Sequence, residues 1–335
     1  MRSLNLDSPI VAAPMAGGPT TPQLLHAVTA AGSLGFVPAG YRTAAQLSDD
    51  IADARSGSGQ FGVNLFVPDP NPVDIAAVRR YRDLIAAEVE ALGAEVGPIV
   101  PEDDDDWDAK VDLLARDPVP WVSFTFGLPD TTVVSRLRAA GSRLLMTVTN
   151  VDEARAAANL DPDGLVVQSA DAGGHRGTFD QHRNPGTENL VSLVRAIVAA
   201  TRIPAIAAGG LADQDSVRAV MDAGAEAVAI GTALLLADEA GTRSTHRAAL
   251  TDPTATTTTM RAYTGRVARG VRTAFSDRYE PHVPAAYPAV HHFTSPMRRW
   301  AAQNDDPAHL HLWAGTGFRG AQEVPASRVL AALQP

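Results

Sequence analysis

The sequence predicts an α/β protein built as a (β/α)8 TIM barrel, and two observations lead to this prediction. Eight short runs rich in Val, Ile, Leu, Phe and Ala recur along the chain, and stretches of helical period separate them. Continuous apolar runs are typical of strands that are buried on both faces of a parallel sheet. Eight strand–helix units favour a closed barrel over an open sheet, because a closed barrel has no exposed edge strand.

The apolar runs predict the strands in chain order. They are 10–15 (IVAAPM), 33–39 (SLGFVPA), 61–67 (FGVNLFV), 121–127 (WVSFTFG), 143–149 (RLLMTVT), 164–170 (GLVVQSA), 204–210 (PAIAAGG) and 227–232 (AVAIGT). Helices are expected between them, for example after Pro22 and after Asp152. Another is expected after Asp213, a suitable N-cap, and should end near Gly224.

Two segments interrupt the regular alternation. The gap between the third and fourth strands holds a helix near 74–92 and an acidic run at 102–106, which we interpret as a solvated segment. Residues 236–292 have helical, arginine-bearing sequence and no ninth strand signal. We therefore predict a barrel domain of 1–235 and 293–335, with 236–292 as a small helical insertion that caps the active-site mouth.

Composition and charge exclude several classes of function. The chain has 335 residues, of which 45% are hydrophobic and 20% charged, as in an ordinary globular protein. Its net charge of −10 argues against a nucleic-acid partner, because phosphate binding needs clustered cations. We see neither a signal peptide nor an apolar run long enough for a membrane span, so we expect a cytoplasmic protein with no membrane partner. Nothing in the sequence indicates an oligomeric state.

The chain lacks cysteine and has a single lysine, Lys110. Barrel enzymes that use a catalytic cysteine are therefore excluded. Schiff-base chemistry on a barrel needs a lysine at the end of a strand, and Lys110 follows the acidic run instead. His291-His292 and His309-x-His311 lack a carboxylate framework, so we expect no metal site.

Glycine-rich turns follow the last two predicted strands. Gly209-Gly210 and Gly231-Thr232 occupy the positions where barrels commonly bind a phosphate through backbone N–H groups. Thr232 would add a hydroxyl and begin a helix whose N-terminus favours an anion. The alternative is that these glycines only permit tight turns. A mononucleotide is favoured over a dinucleotide, since the G-x-G-x-x-G match at 57–62 precedes a strand.

Three polar side chains are expected beside this phosphate site. Asn64 and Gln168 are amides near the ends of buried strands, where each needs a hydrogen-bond partner and could bind the edge of a planar ligand. His175 lies in a glycine-flanked loop above the sixth strand, which core packing does not explain. It is therefore the candidate acid, base or hydrogen-bonding residue. The alternative is a loop histidine that caps backbone groups.

Several segments together resemble the nitronate monooxygenase family, formerly called 2-nitropropane dioxygenases. They are PIVAAPMAGGPTTPQL with AGSLG, FGVNLF, VSFTFG, QSADAGGHRGTF, IPAIAAGGLAD, AVAIGTALLLADEA and LWAG. The similarity covers nearly the whole chain, and 173–179 is similar to the class I branch in particular. The family pattern has glycine and glutamate where this chain has Ser169 and Asp171, and glutamine where it has Thr316. These departures affect what the resemblance implies about the substrate more than what it implies about the cofactor.

The resemblance implies non-covalent FMN, with His175 as the active-site histidine. Met15 and Ala16 would contact the flavin ring through the backbone, and Gly209, Gly210, Gly231 and Thr232 would hold the phosphate. The complete set of implied cofactor-binding residues is Met15, Ala16, Asn64, Gln168, Gly173, Gly174, Gly209, Gly210, Ala229, Ile230, Gly231 and Thr232.

The implied function is the oxidation of alkyl nitronates by O2 to a carbonyl compound and nitrite, with propionate 3-nitronate as the type of substrate. Such an enzyme would detoxify nitroalkanes. Arg269, Arg272 and Tyr287 are candidates for binding the substrate carboxylate. Three alternatives remain: an NAD(P)H-dependent FMN reductase of quinones or enoyl thioesters, a natural-product flavoenzyme acting on a nitro or N-oxygenated intermediate, and a binding protein that has lost its cofactor.

Overall fold

A computed structural model of the protein describes residues 3–183 and 185–335. The strands in these ranges are β1 Ile10–Ala12, β2 Leu34–Pro38, β3 Phe61–Phe66, β4 Trp121–Thr125, β5 Arg143–Val148, β6 Gly164–Gln168, β7 Gly174–His175, β8 Ala205–Ala208, β9 Ala227–Ile230, β10 Thr257–Met260 and β11 Ala268–Val271. The helices are α1 Pro22–Ala30, α2 Ala44–Ser56, α3 Ile75–Ala91, α4 Trp107–Arg116, α5 Thr131–Ala139, α6 Val151–Ala158, α7 Leu190–Thr201, α8 Gln214–Asp222, α9 Ser244–Thr251, α10 Ala274–Tyr279, α11 Ala289–Gln303 and α12 Ala326–Ala332.

The predicted (β/α)8 barrel is confirmed. Eight parallel strands close in the order β1-β2-β3-β4-β5-β6-β8-β9, and β9 pairs with β1 to complete the ring. Each observed barrel strand lies within one of the eight apolar runs, because these strands are covered by helices outside and by packed side chains inside. Within the described ranges, no helix combines the length and apolar character that a membrane span requires.

Helix caps explain where several of the barrel helices begin. The helix expected after Asp213 is confirmed as α8, where the Asp213 carboxylate accepts from the Ser216 N–H and the Ser216 hydroxyl accepts from the Asp213 N–H. Thr43 and Gln46 form the same reciprocal arrangement at the start of α2. Such caps satisfy N–H groups that have no partner in the first turn of a helix.

The prediction that residues 236–292 are helical is wrong in part. They contain α9 and α10, but also β10 and β11, which pair as an antiparallel hairpin. β11 also pairs with β7, so that Ala268 lies opposite His175 and Arg269 opposite Gly174. The hairpin gave no strand signal because β10 is a short threonine-rich segment, TTTM, with only one buried residue.

A second hydrophobic core lies beside that of the barrel. It combines α3 with residues from 260 to 297, and it includes Tyr81, Tyr263, Phe275 and Phe293. The Tyr81 hydroxyl donates to the Ala262 carbonyl oxygen over 2.7 Å inside this core. Helix α11 crosses residue 293, where the sequence placed a domain boundary, and the division into two domains stays a prediction.

The acidic run is not simply a solvated segment, because two of its carboxylates hold neighbouring loops. Asp105 pairs with the Lys110 ammonium over 2.8 Å and accepts from the Tyr41 N–H over 2.8 Å. The Lys110 side chain is only 1% exposed. Asp106 accepts from the Ala44 N–H at the start of α2. The run therefore anchors the turn that carries Tyr41.

Candidate active site

A cavity of about 460 Å³ opens at the C-terminal ends of the barrel strands. Barrel enzymes place their chemistry at this end. His175 and the residues that the sequence predicted for the cofactor all line this one cavity: Met15, Ala16, Asn64, Gln168, Gly173, Gly174, Gly209, Gly210, Ala229, Ile230, Gly231 and Thr232. The fold therefore brings together residues from both ends of the barrel sequence.

The turns after β8 and β9 present free backbone donors to the cavity. In the described part of the chain, the N–H groups of Gly209, Gly210 and Gly231 donate to no protein acceptor. Gly209 has φ +124° and Gly210 φ +70°, a region that residues with a Cβ rarely adopt. Half-buried N–H groups without partners favour an anionic ligand, because they would otherwise be desolvated without compensation.

The helix expected to begin at Thr232 is only a three-residue 3-10 turn, Thr232–Leu234. The prediction of a helix dipole at this position is therefore wrong, since so short a turn aligns few peptide dipoles. The Thr232 hydroxyl accepts from the Gly315 N–H over 2.9 Å. Its own proton remains free for a ligand.

The loop that carries His175 is held by Gln168 from β6. The Gln168 side-chain amide donates to the His175 carbonyl oxygen over 3.0 Å and accepts from the Gly177 N–H over 2.8 Å. Arg176, which is 2% exposed, donates to the Gln168 carbonyl oxygen over 2.7 Å. Gln168 therefore positions the histidine loop as well as lining the cavity.

The imidazole of His175 lies in a half-buried setting of aromatic rings. Its Nε2 is 2.9 Å from the Thr264 hydroxyl oxygen, and its ring centroid is 5.4 Å from that of Trp313 and 5.7 Å from that of Tyr287. Burial, with the nearby Arg266 and Arg298 cations adding to it, lowers the pKa of His175 to about 3. The ring is therefore neutral at neutral pH.

Asn64 ends in a network of hydroxyl groups on the barrel wall. Its Nδ2 donates to Ser123 Oγ over 2.9 Å and to Thr125 Oγ1 over 3.0 Å, and Thr125 Oγ1 is 3.3 Å from Thr147 Oγ1. The side chain is 4% exposed. This network fixes the amide and leaves its oxygen free of bonds to described residues.

Arg266, which the sequence analysis did not single out, clamps the histidine loop from the hairpin side. Its guanidinium donates to the carbonyl oxygens of Arg176 and Thr178 and lies 4.0 Å above the Phe126 ring. The side chain is 1% exposed, and burial lowers its pKa to about 10. Arg266 thus joins the β11 end of the hairpin to the loop that carries His175.

The far wall of the cavity comes from α9, α11 and the segment around 311; α9 and the start of α11 belong to the segment 236–292 that was predicted to cap the mouth, but the sequence analysis named none of the wall residues as site residues. Arg243, His246, His291, Arg298, His311 and Trp313 line it. The signal that could have found α11 is the spacing of His291, Ser295, Arg298, Arg299 and Ala302, which places all five on one helical face.

The three residues suggested for the substrate carboxylate lie outside this cavity. Arg269 donates to the Ala170 carbonyl oxygen, and Arg272 pairs with Asp277 on the exposed side of the hairpin. Tyr287 lines a neighbouring cavity of about 410 Å³. Pairing with protein groups explains why neither arginine is free to face the site.

The family assignment follows from comparison with known proteins. The family model described as nitronate monooxygenase matches residues 1–335, which is the whole chain. The chain belongs to the nitronate monooxygenase family. It is therefore an oxidoreductase, and the resemblance drawn from its sequence motifs is confirmed.

Individual relatives agree with this assignment. A probable nitronate monooxygenase of Staphylococcus aureus (strain Newman) is 35% identical over 333 residues, covering 98% of this chain and 93% of its own. The structure of a nitroalkane oxidase from Streptomyces ansochromogenes superposes with a TM-score of 0.93 at 43% identity, covering 98% and 95% of the two chains. FabK from Thermotoga maritima has a TM-score of 0.75 at 23% identity, covering 98% and 92%, and shares the fold.

Proposed function

We propose that this member of the nitronate monooxygenase family is an FMN-dependent enzyme that oxidises alkyl nitronates with O2 to a carbonyl compound and nitrite. Propionate 3-nitronate is the type of substrate that we propose. The observation on which this proposal depends is that the unpartnered N–H groups of Gly209, Gly210 and Gly231 share one cavity with the imidazole of His175.

The residues around the cavity fit FMN. Free N–H groups at Gly209, Gly210 and Gly231, with the Thr232 hydroxyl, are suitable donors to a phosphate. Met15, Ala16, Asn64, Gln168, Gly173, Gly174, Ala229 and Ile230 supply the remaining contacts that we assign to the cofactor. Bound flavin would accept an electron from the nitronate and pass reducing equivalents to O2.

His175 would bind the nitro group and, with a neutral nitroalkane, accept the α-proton. Nε2 of the neutral ring is bonded to the Thr264 hydroxyl, so the two roles belong to the other nitrogen, which donates in one tautomer and accepts in the other. A base whose conjugate acid has a pKa of about 3 is weak, so proton abstraction would be slow. This supports a preformed nitronate, which needs no deprotonation, as the preferred substrate.

An absorbance spectrum of the freshly purified protein, followed by anaerobic titration, tests the proposal. We expect flavin bands that bleach on addition of propionate 3-nitronate and return with O2, with release of nitrite. Rapid bleaching by NADH or NADPH alone, without bleaching by the nitronate, would instead support a reductase. A protein that shows no flavin bands after incubation with FMN would contradict both functions.

A further inference from the structure

Arg298 is a buried cation without an acidic partner. It is 7% exposed, and it takes part in none of the ion pairs between described residues; after burial, the groups with the largest effect on its pKa are Tyr41, Tyr263, Tyr287 and Arg299. Burying a charged guanidinium costs several kcal/mol unless an anion compensates it. An anionic ligand bound in the cavity could supply this compensating negative charge.

The hydrogen bonds of Arg298 fix its orientation without using all of its donors. Nε donates to the Thr294 hydroxyl over 3.2 Å, and Nη2 donates to the His291 carbonyl oxygen over 2.7 Å and to His291 Nδ1 over 3.2 Å. Nη1 makes no hydrogen bond to a described residue. The side chain lines the active-site cavity, so the free donor belongs to a group that faces the ligand space.

Arg298 and His175 line the same cavity, and a series of ring contacts connects their surroundings. His175 and Tyr287 have ring centroids 5.7 Å apart, those of Tyr287 and His291 are 5.9 Å apart, and His291 contacts Arg298 directly. The charge of Arg298 also contributes to lowering the pKa of His175. A small ligand held at the imidazole can therefore extend toward the guanidinium.

A second set of polar atoms at the same wall has no partner. The Thr242 hydroxyl oxygen, His246 Nε2 and His311 Nδ1 are buried and make no hydrogen bond to the described protein. All three residues line the cavity. Burial lowers the pKa of His246 to about 4 and that of His311 well below its usual range, so both rings are neutral and the cation at this wall is an arginine.

We propose that Arg298 binds the carboxylate at the far end of the substrate, so that the enzyme selects dianionic nitronates over nitronates with an uncharged tail. This inference rests on the proposed function and assigns its specificity to one residue. Charge-assisted hydrogen bonds to a carboxylate are among the strongest in proteins, and arginine matches the planar geometry of the group. Arg298 takes the role that the sequence analysis gave to Arg269, Arg272 or Tyr287.

The test compares Arg298→Gln with Arg218→Gln, which removes the same charge from an exposed residue of α8 that does not line the cavity. For each variant, kcat/KM is measured with propionate 3-nitronate and with propyl-1-nitronate, which lacks the carboxylate. We expect the ratio of the two values to fall about tenfold to a hundredfold in Arg298→Gln and to stay within about threefold of the wild-type ratio in Arg218→Gln. An unchanged ratio in Arg298→Gln, or equal losses in both variants, would overturn the proposal.

Binding of succinate, an unreactive dianion of similar length, gives a readout that is independent of turnover. Calorimetry should show at least about tenfold weaker binding to Arg298→Gln than to the wild type, and Arg298→Lys should recover part of the affinity. Flavin absorbance and circular dichroism establish that each variant is folded. If neither nitronate is oxidised by the wild type, the proposed function fails, and the succinate affinities still decide whether Arg298 binds a carboxylate.

Discussion

The imidazole of His175 is neutral over the whole range from mildly acidic to alkaline pH, because burial lowers its pKa to about 3. Its Nε2 forms a hydrogen bond with the Thr264 hydroxyl, 2.9 Å away. A substrate therefore meets a ring whose orientation is already fixed by Thr264 and by the backbone of its loop. Fixed orientation favours hydrogen bonding to a nitro group over large movements of the ring.

Replacing His175 by Asn separates its two proposed roles. We expect kcat/KM for a neutral nitroalkane to fall by about 10², the lower end of the usual range for loss of a general base, because a base with a pKa of about 3 is weak. The value for the corresponding preformed nitronate should fall much less, since no proton has to be removed. Steady-state assays with both forms of the same compound provide the measurement. Equal losses for the two forms would rule out the role as a base.

His246 gives the protein a pH-dependent stability. Burial lowers its pKa to about 4, whereas in the unfolded chain it is near 6.5. As the pH falls, the unfolded chain therefore takes up a proton on this ring before the folded protein does. The contribution of the neutral His246 ring to the free energy of unfolding is complete above about pH 6.5 and is lost as the pH falls toward 4. We expect His246→Gln to reduce the drop in unfolding free energy between pH 7 and pH 4.5 by about 2–3 kcal/mol.

Urea unfolding at the two pH values measures this contribution. The matched control is His182→Gln, because His182 is exposed to solvent in the folded protein. The control should show the same drop as the wild type. A drop in His246→Gln as large as in the wild type would show that this ring does not carry the effect.

At the scale of elements, the three-stranded sheet of β10, β11 and β7 connects the loop that carries His175 to the hairpin. Only two residue pairs join β11 to β7, and Arg266 adds side-chain bonds to the carbonyl oxygens of Arg176 and Thr178. The position of His175 thus depends on a segment almost a hundred residues later in the chain.

We predict that Arg266→Met loosens this loop, because two buried carbonyl oxygens lose their donor at a cost of about 1–3 kcal/mol each. Hydrogen exchange at the amides of 174–178 should become faster. Arg272→Met removes an exposed arginine that pairs with Asp277, and it should leave the exchange unchanged, since surface ion pairs contribute about 0–1 kcal/mol. Unchanged exchange in Arg266→Met would mean that the strand pairing and the bonds of Gln168 hold the loop without Arg266.

The elements that could be predicted from the sequence are those whose burial requires a recognisable pattern of apolar residues. Strands such as β5 and β9 are buried along their length and read as continuous apolar runs. β7 has two residues, and β10 is threonine-rich and partly exposed, so neither leaves such a pattern. Their pairing comes from tertiary contacts, which one sequence does not display.

In the candidate site, too, some residues could be predicted from the sequence and others could not. His175 and the glycine pairs follow barrel strands, and the rule that chemistry lies at strand ends was enough to find them. Thr264, Arg266 and Arg298 reach the cavity from the hairpin and α11, whose position against the barrel no local pattern encodes. Arg269 looked equally suitable in the sequence, but it donates to the Ala170 carbonyl oxygen.

At the scale of the whole molecule, the structure contains a barrel core and a separate core between α3, the hairpin region and α11. The active-site cavity is lined from both sides, by the strand ends of the barrel and by α11. The shape of the cavity therefore depends on the second core remaining packed, even though none of the proposed flavin contacts belongs to that core.

Phe293→Ala should affect the second core before the barrel. Phe293 is fully buried there, and truncation of a buried phenylalanine costs about 3–5 kcal/mol. We expect faster hydrogen exchange across 257–297, with the amides of β8 and β9 still protected. Phe124→Ala, the matched truncation in the barrel core, should speed exchange in both regions. Identical exchange patterns in the two variants would show that the molecule opens as one cooperative unit.

Lys110 carries the single side-chain amine of the molecule, and the acidic segment closes over it through Asp105. An acylating reagent can modify this amine only when the acidic segment moves away from it. That movement also breaks the hydrogen bond from the Tyr41 N–H to the Asp105 carboxylate. The rate of acylation at Lys110, followed by mass spectrometry of the peptide, would thus measure how often the acidic segment beside the cavity opens.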